Sequence, residues 1–301
     1  MSRTGHALSF ARFAGALLTA ALLIAGCVGS AGAVGTAHDG PSATPASPAP
    51  ATPAGPPTTG FYLRASQTQA LAPQETFGWL PVATIAGGEY IDGRVAIPMI
   101  YPGPIYIDPS ARSISTAGIA AIVAEARADG LLGDKADFSA GSAPGSVLAH
   151  VQLTVDGVTH ELTGPLPSDA STDAGLPGSV SAFKAFWNRI GSIDTWLAAD
   201  LGQSRPYSPT SLAILLSAPT DSGAGITPGE VTWPLASEFA TFGQPFGGSK
   251  YRCATVSGSD LAKLLPAVQS SNALTRFVDS SGVKMSLQVR VLVPGEASPC
   301  A

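Results

Sequence analysis

The sequence predicts an α+β fold, mainly antiparallel sheet built from hairpins with about three helices, and three observations carry that prediction. Two pairs of apolar alternations are joined by turn sequences, Asp156-Gly157 and Asp279-Ser280-Ser281-Gly282. Three other stretches place apolar residues three and four apart, the period of a helix face. The hairpins are interspersed with few helices, which argues against a doubly wound parallel sheet.

Taken in order, strands are expected at 81–85 and 94–97. A helix starts at Ser115 or Thr116, either of which can cap it, with Ile119, Ile122, Val123 and Ala126 on one face and Gly130 as its stop. Residues 147–155 and 158–162 flank Asp156-Gly157, the pair that suits a two-residue type I′ turn. That register pairs Val155 with Val158 and Leu153 with His160. From Ser179, a second helix carries Phe183, Phe186, Trp187, Ile190, Ile193, Leu197 and Leu201 on one face and runs to Gly202. Strands follow at 210–217 and 251–256. A third helix opens at Ser259 with Asp260 near its positive end and Leu261, Leu264, Leu265 and Val268 on one face. Pro266 either ends it near Leu265 or kinks it. Residues 274–278 and 283–293 form the second hairpin, with Val283, Met285, Leu287, Val289 and Val291 as one apolar face. The order strand, helix, hairpin occurs around 94–163 and again around 251–293. Two similar halves, 61–168 and 205–301, joined by a helix over 179–201 are one explanation; chance recurrence of a common order is the other.

With 301 residues, 45% hydrophobic and 12% charged, the chain is long enough for one large domain or two small ones and too apolar to be wholly disordered. Its net charge of −5 and lack of a Lys/Arg cluster exclude a protein that grips nucleic acid through phosphates. Residues 1–26 have the form of a signal peptide: Arg3 and Arg12, then an apolar run over 13–24 too short to span ~30 Å of hydrocarbon comfortably. Ile24-Ala25-Gly26-Cys27 resembles the lipobox of bacterial lipoproteins. That resemblance implies acylation of the Cys27 thiol and cleavage before it, with fatty acyl chains such as palmitate holding the chain on the extracytoplasmic face of the cell membrane. The alternative is an ordinary secretory signal cleaved near Ala31-Gly32-Ala33. Residues 27–60 then form the lipid anchor and a tether of Ala, Pro, Gly, Ser and Thr, with Asp39 as its only charge. Such a composition stays disordered and sets the domain roughly 30 Å from the membrane, or about 100 Å if fully polyproline-like. Residues 61–301 are the extracytoplasmic domain. With Cys27 lipidated, Cys253 and Cys300 remain as a disulfide pair, worth about 4 kcal/mol in the chain-entropy view. The sequence has no CxxC to support a redox or metal role for them.

The stretches GGEYIDGRV (87–95), STAGIAAIVAEARADGLL (115–132), DGVTHEL (156–162), RCATVSGSDLAKLLPA (252–267) and LVPGEASPC (292–300) resemble those of a group of secreted or lipid-anchored actinobacterial proteins of unknown function. The resemblance implies an envelope location and a terminal disulfide, and no activity.

Residues that carry chemistry are sparse. GxSxG, HExxH, Walker A and GxGxxG are all missing from the sequence. Ser181-Ala182-Phe183-Lys184 matches SxxK and Ser270-Ser271-Asn272 matches SxN, two elements of penicillin-binding proteins, but no KTG-like strand accompanies them. A second SxxK, Ser281 to Lys284, falls in a turn and shows how easily the pattern arises. Alternation sends His150 and His160 to opposite faces of their hairpin, so they do not share a metal ion. His160 is read as a core histidine, with a catalytic base as the alternative, and His150 as solvated. Asp134 and Asp137 are loop carboxylates without EF-hand spacing, and neither a metal nor a cofactor is expected. Tyr101 and Tyr106, in a loop stiffened by Pro102, Gly103 and Pro104, are candidate ligand-surface residues for a glycan or peptide, or else rings packed on the core. The expectation is a non-catalytic binding or scaffolding protein of the cell envelope, its partners the membrane and an envelope protein or glycan. The alternative is an envelope hydrolase assembled from distant residues, which a pocket joining His160 to a Ser or Asp would favour. An accessory subunit of a membrane complex, marked by an exposed apolar patch, is a third reading.

Overall fold

A computed structural model of the chain describes residues 60–69, 71–95, 101–134, 136–139, 142–143, 145–166, 178–219, 226–247 and 250–300. Strict alternation in β1 (Tyr62–Thr68) turns Leu63 and Ala65 inward and Arg64 and Ser66 to the other face. β1 is an interior strand of a seven-stranded sheet with β2 (Ala83–Ala86), β3 (Glu89–Asp92), β4 (Ser110–Ser113), β5 (Leu148–Val155), β6 (Val158–Pro165) and β7 (Arg205–Pro206). Its order is β6-β5-β1-β2-β3-β4-β7 and every neighbouring pair is antiparallel. The second sheet contains β8 (Ser211–Ser217), β9 (Glu230–Thr232), β10 (Gln244–Phe246), β11 (Tyr251–Ser257), β12 (Arg276–Val278) and β13 (Lys284–Val291) in the order β10-β11-β8-β13-β12-β9. Only β12 and β9 run parallel there. The helices are α1 (Pro73–Thr76), α2 (Thr116–Ala128), α3 (Gly178–Ile190), α4 (Ile193–Trp196) and α5 (Gly258–Gln269). The class is therefore α+β and mainly antiparallel sheet, as the sequence predicts. None of the described helices is long and apolar enough to cross a membrane.

Two main cores form, and the second also takes in Ile91 of β3 and Ala111 of β4 from the first sheet. Leu63, Ile85, Val151 and Leu153 of the first sheet are buried with Ile119, Ile122 and Val123 of α2 and Phe183, Phe186 and Trp187 of α3. In the second sheet, Leu212, Ile214, Leu216 and Val289 pack with Leu261, Leu264 and Val268 of α5. The opposite face of that sheet presents Ala213, Leu215 and Cys253 to Phe77, Leu292 and Cys300.

The turn chemistry read from the sequence is present. Asp156 and Gly157 both have positive φ, 53° and 79°, and Val155 pairs with Val158 and Leu153 with His160. Ser115 caps α2 by accepting the Gly118 N–H at 3.0 Å. Three expectations need correction, and one open alternative is decided. The helix over 179–201 is not continuous: it stops at Ile190, re-forms as the single turn α4, and gives way to a 3₁₀ turn over Ala198–Asp200. Gly191 weakens the helix, and the Ser192 hydroxyl donates to the carbonyls of Asn188 and Arg189 at 2.7 and 3.3 Å, in competition with the helical amides. The apolar period survives the break because Ile193 and Leu197 still reach the core. At α5 the helix begins at Gly258 and runs past Pro266 to Gln269, so the proline does not end it. The strand at 94–97 is absent from its described part, because the Asp92 carboxylate accepts the Arg94 N–H at 2.9 Å and turns the chain out of β3; residues 96–97 lie outside the described residues. Val283 is exposed, since its N–H and carbonyl both bond Asp279 inside the turn.

Candidate functional site

Cys27 lies outside the described residues. Cys253, on β11, and Cys300 are both buried and lie at disulfide distance, with their Cα atoms 5.2 Å apart. Tyr101 and Tyr106 part company: Tyr101 is 69% exposed, whereas Tyr106 is 7% exposed and packs in the second core beside Tyr207. Their loop is tied down by an Ala273 N–H to Gly103 carbonyl bond of 2.8 Å and a bridge between Pro104 and Asn272. Burial and the nearby Asp108 carboxylate push the Tyr106 phenol up to about 12. The two therefore do not form one open surface, and Tyr106 serves the core.

His150 and His160 sit on opposite faces of the β5-β6 hairpin. His150 lies 3.2 Å from the Glu161 carboxylate, so it is paired where solvation alone was expected. His160 is half-buried, not a fully covered core residue, although Leu153 directly opposite it is fully buried. Ser181 is exposed while Lys184 is buried, so the SxxK pair does not share one environment. The second SxxK is consumed by structure: Ser281 donates to Asp279 at 2.8 Å and Lys284 pairs with Glu230. Asp137 is occupied by the N–H and hydroxyl of Ser139 at 2.8 and 2.6 Å. Among the described residues, no three His, Cys, Asp or Glu side chains converge to hold a metal ion.

A cleft that no local motif announces lies at the far end of β1. Alternation sends Arg64, Ser66 and Thr68 to the face away from the helices. Beyond β1 the chain turns through α1, which opens with Pro73, and Trp79 donates its N–H to Thr76 at 3.0 Å. The chain returns to β1 through a Val82 N–H to Ala65 carbonyl bond of 2.7 Å. The C-terminal segment closes the opposite wall: the Tyr62 hydroxyl donates to the Pro294 carbonyl at 3.1 Å, and Arg290 on β13 donates to the Phe77 carbonyl at 3.2 Å. Between these walls is a cavity of about 290 Å³ lined by Arg64, Ser66, Gln69, Thr76, Arg290 and Glu296, among others. Gln67, Trp79 and Leu80 also line a second cavity of about 340 Å³, and Thr68 and Gln69 a third of about 410 Å³. The three thus meet along residues 67–80.

The guanidinium groups of this cleft differ in how well they are served. Arg94, in the second cavity, meets Asp92 at 2.8 and 2.9 Å, Tyr90 at 3.2 Å and Asp194 at 3.1 Å. The Asp92 bonds push its pKa further up, and Arg94 in turn holds the Asp194 carboxyl below the usual range. Gly93 makes this corner: its N–H bonds Val82 at 3.3 Å, and a Cβ there would collide with the Pro81 carbonyl. Arg290, with a side chain 17% exposed, pairs with Glu296, which is 5% exposed and also accepts the Val293 N–H at 3.2 Å. The Nε atoms of Arg64 and Arg290 are buried with no acceptor.

The hydroxyls lining the first cavity, those of Ser66, Thr68 and Thr76, have no histidine or lysine beside them in the lining, and its carboxylate, Glu296, is committed to Arg290. Such an arrangement holds a ligand by hydrogen bonds and apolar contact but activates no nucleophile. His160 lines none of these three cavities. Sequence reasoning missed Arg64, Trp79, Arg290 and Glu296. The charged Arg64 inside an otherwise alternating strand was the available signal, but nothing local joined it to residues more than 200 positions away. Comparison of the chain with protein-family models, with curated proteins and with solved structures finds no match in any of the three.

Proposed function

We propose that this chain is a lipid-anchored cell-envelope protein that binds its ligand without transforming it, and that the ligand sits in the cleft at the end of β1. The cleft carries this reading: two cavities that share Trp79, with a third that shares Thr68 and Gln69 with the first, lined by hydroxyls, amides and guanidinium groups and with no histidine or lysine in their linings. The lipobox-like Ile24-Ala25-Gly26-Cys27 and the Pro-rich stretch after it support attachment to the extracytoplasmic face of the membrane. The Cys253–Cys300 pair at disulfide distance is consistent with an oxidising compartment.

The test is native mass spectrometry of the full chain extracted from membranes in mild detergent. The expected result is a retained small-molecule adduct that disappears in Trp79→Ala while the fold is kept. Replacing Cys27 by Ser should remove the acyl mass and release the protein from the membrane. A chain that never carries an adduct but turns over ester, amide or glycoside substrates overturns the binding reading in favour of a hydrolase.

A further inference from the structure

The first cavity contains an unfinished hydrogen-bond arrangement. Arginine nitrogens only donate, and a buried donor without an acceptor is costly, so it marks the place of a missing partner. Two such atoms, Arg64 Nε and Arg290 Nε, belong to residues lining this one cavity. A third orphan, the Thr84 hydroxyl, belongs to the residue directly opposite Arg64 in the β1-β2 register. Among the described residues, no carboxylate lies within hydrogen-bond distance of Arg64. Its other cross-strand neighbour, Gln152, gives its amide to Glu161 at 2.7 Å. Arg94 next door, by contrast, is served by two aspartates and a tyrosine. The lining therefore holds two guanidinium groups against one carboxylate, Glu296, and Arg290 already uses that carboxylate. What completes the set is an anion with oxygen acceptors. The remaining lining specifies the body to which that anion is attached: hydroxyls from Ser66, Thr68 and Thr76, amides from Gln67 and Gln69, and the indole of Trp79. This combination of aromatic face and bidirectional polar groups matches a sugar ring.

We propose that the cavity binds a carboxylate-bearing saccharide, with its carboxylate on Arg64 and its ring against Trp79. This inference rests on the binding reading above and names the class of ligand. Among the described residues Arg64 makes no hydrogen bond or ion pair, so its replacement removes the anion contact without dismantling a wall. Arg290, held by Phe77 and Glu296, is the fixed part of the site.

The test is isothermal titration calorimetry on the full chain in detergent with two probes, N-acetylmuramic acid and N-acetylglucosamine, which differ by the acid's 3-O-lactyl group with its carboxylate. The acid is expected to bind at least about tenfold tighter, the scale of a charge-assisted contact in a sheltered site. Arg64→Gln should abolish that advantage and leave the neutral sugar unaffected, whereas Arg64→Lys should keep part of it and serves if the Gln variant does not fold. Equal affinity for the two sugars, or an advantage that survives Arg64→Gln, overturns the inference and leaves the binding reading standing. So does failure of both sugars to bind while native mass spectrometry still finds an adduct that depends on Trp79. Failure of both sugars with no adduct overturns both.

Discussion

Asp279 shows how one side chain sets a local structure and its response to pH. Its carboxylate accepts the N–H groups of Phe239 (3.0 Å), Ser281 (3.1 Å) and Val283 (2.9 Å) and the Ser281 hydroxyl (2.8 Å), joining the hairpin turn to a distant segment. Burial alone would raise its pKa, but these bonds, led by that from Phe239, outweigh it and hold the group below its ordinary 3.8. Between the lowered value and 3.8 the unfolded chain binds more protons than the folded one, so stability rises with pH across that window. The contribution is complete above about pH 5 and is lost as the pH falls through the folded value. Asp279→Asn should therefore melt several degrees below the wild type at pH 6, with the gap closing toward pH 2, as followed by circular dichroism. A gap independent of pH would show that the carboxylate's charge is irrelevant to the turn.

At the scale of elements, α5 contains a flaw that can be repaired. Pro266 lacks the N–H that would bond the Ala262 carbonyl, yet the helix continues to Gln269, held by the buried Leu261, Leu264 and Val268. Pro266→Ala should raise stability by roughly 1–3 kcal/mol, visible as a higher urea midpoint with an unchanged slope. No change would mean that the proline's packing already offsets the missing bond. Elements were legible where a local signal and the tertiary environment agree. Asp156-Gly157 specifies its turn and register without help, and Ser115 caps α2 whatever lies around it. The strand β1 was not legible, because its buried face offers only Leu63 and Ala65 between polar residues. β2 falls on the strand expected at 81–85, but β3 was missed although Gly87 and Gly88, both at positive φ, form the kind of two-residue turn that marks a hairpin. The 179–201 helix failed the other way: apolar spacing persisted across a backbone break that only Gly191 and Ser192 betray. The cleft was invisible because its walls come from opposite ends of the domain, as the 213-residue separation of Phe77 and Arg290 shows.

For the whole molecule, the covalent closure lies at the C-terminal end. Cys300 lies beside β11 at a sequence separation of 47 from Cys253, and its carbonyl accepts the Gln244 amide. Fixing that loop should contribute about 4 kcal/mol through the unfolded state. Ellman titration of the unreduced, denatured chain should find neither thiol free, and Cys253→Ser/Cys300→Ser should melt well below the wild type. Two free thiols would dissociate the tail's position from any covalent bond. The same segment carries Glu296, so the double variant also tests whether the wall of the cleft depends on that closure.

The order of strands has a further consequence, for how copies of the domain behave when crowded. Four strands, β6, β7, β9 and β10, lie at the sheet margins, where unpaired amides invite another chain to add a strand. β7 and β10 carry Pro206 and Pro245, which have no amide to offer, and β9 is only three residues long. The long margin strand β6 ends at Pro165, and residues 136–138 occupy its outer side through the Phe138 N–H to Thr163 carbonyl and Thr163 N–H to Ala136 carbonyl bonds, 2.7 and 2.9 Å. Among the described residues, the border left without such a guard is the stretch of β6 over 158–162. Strand addition between crowded copies is thereby confined to that short stretch, since the other three margins are guarded by proline or by brevity.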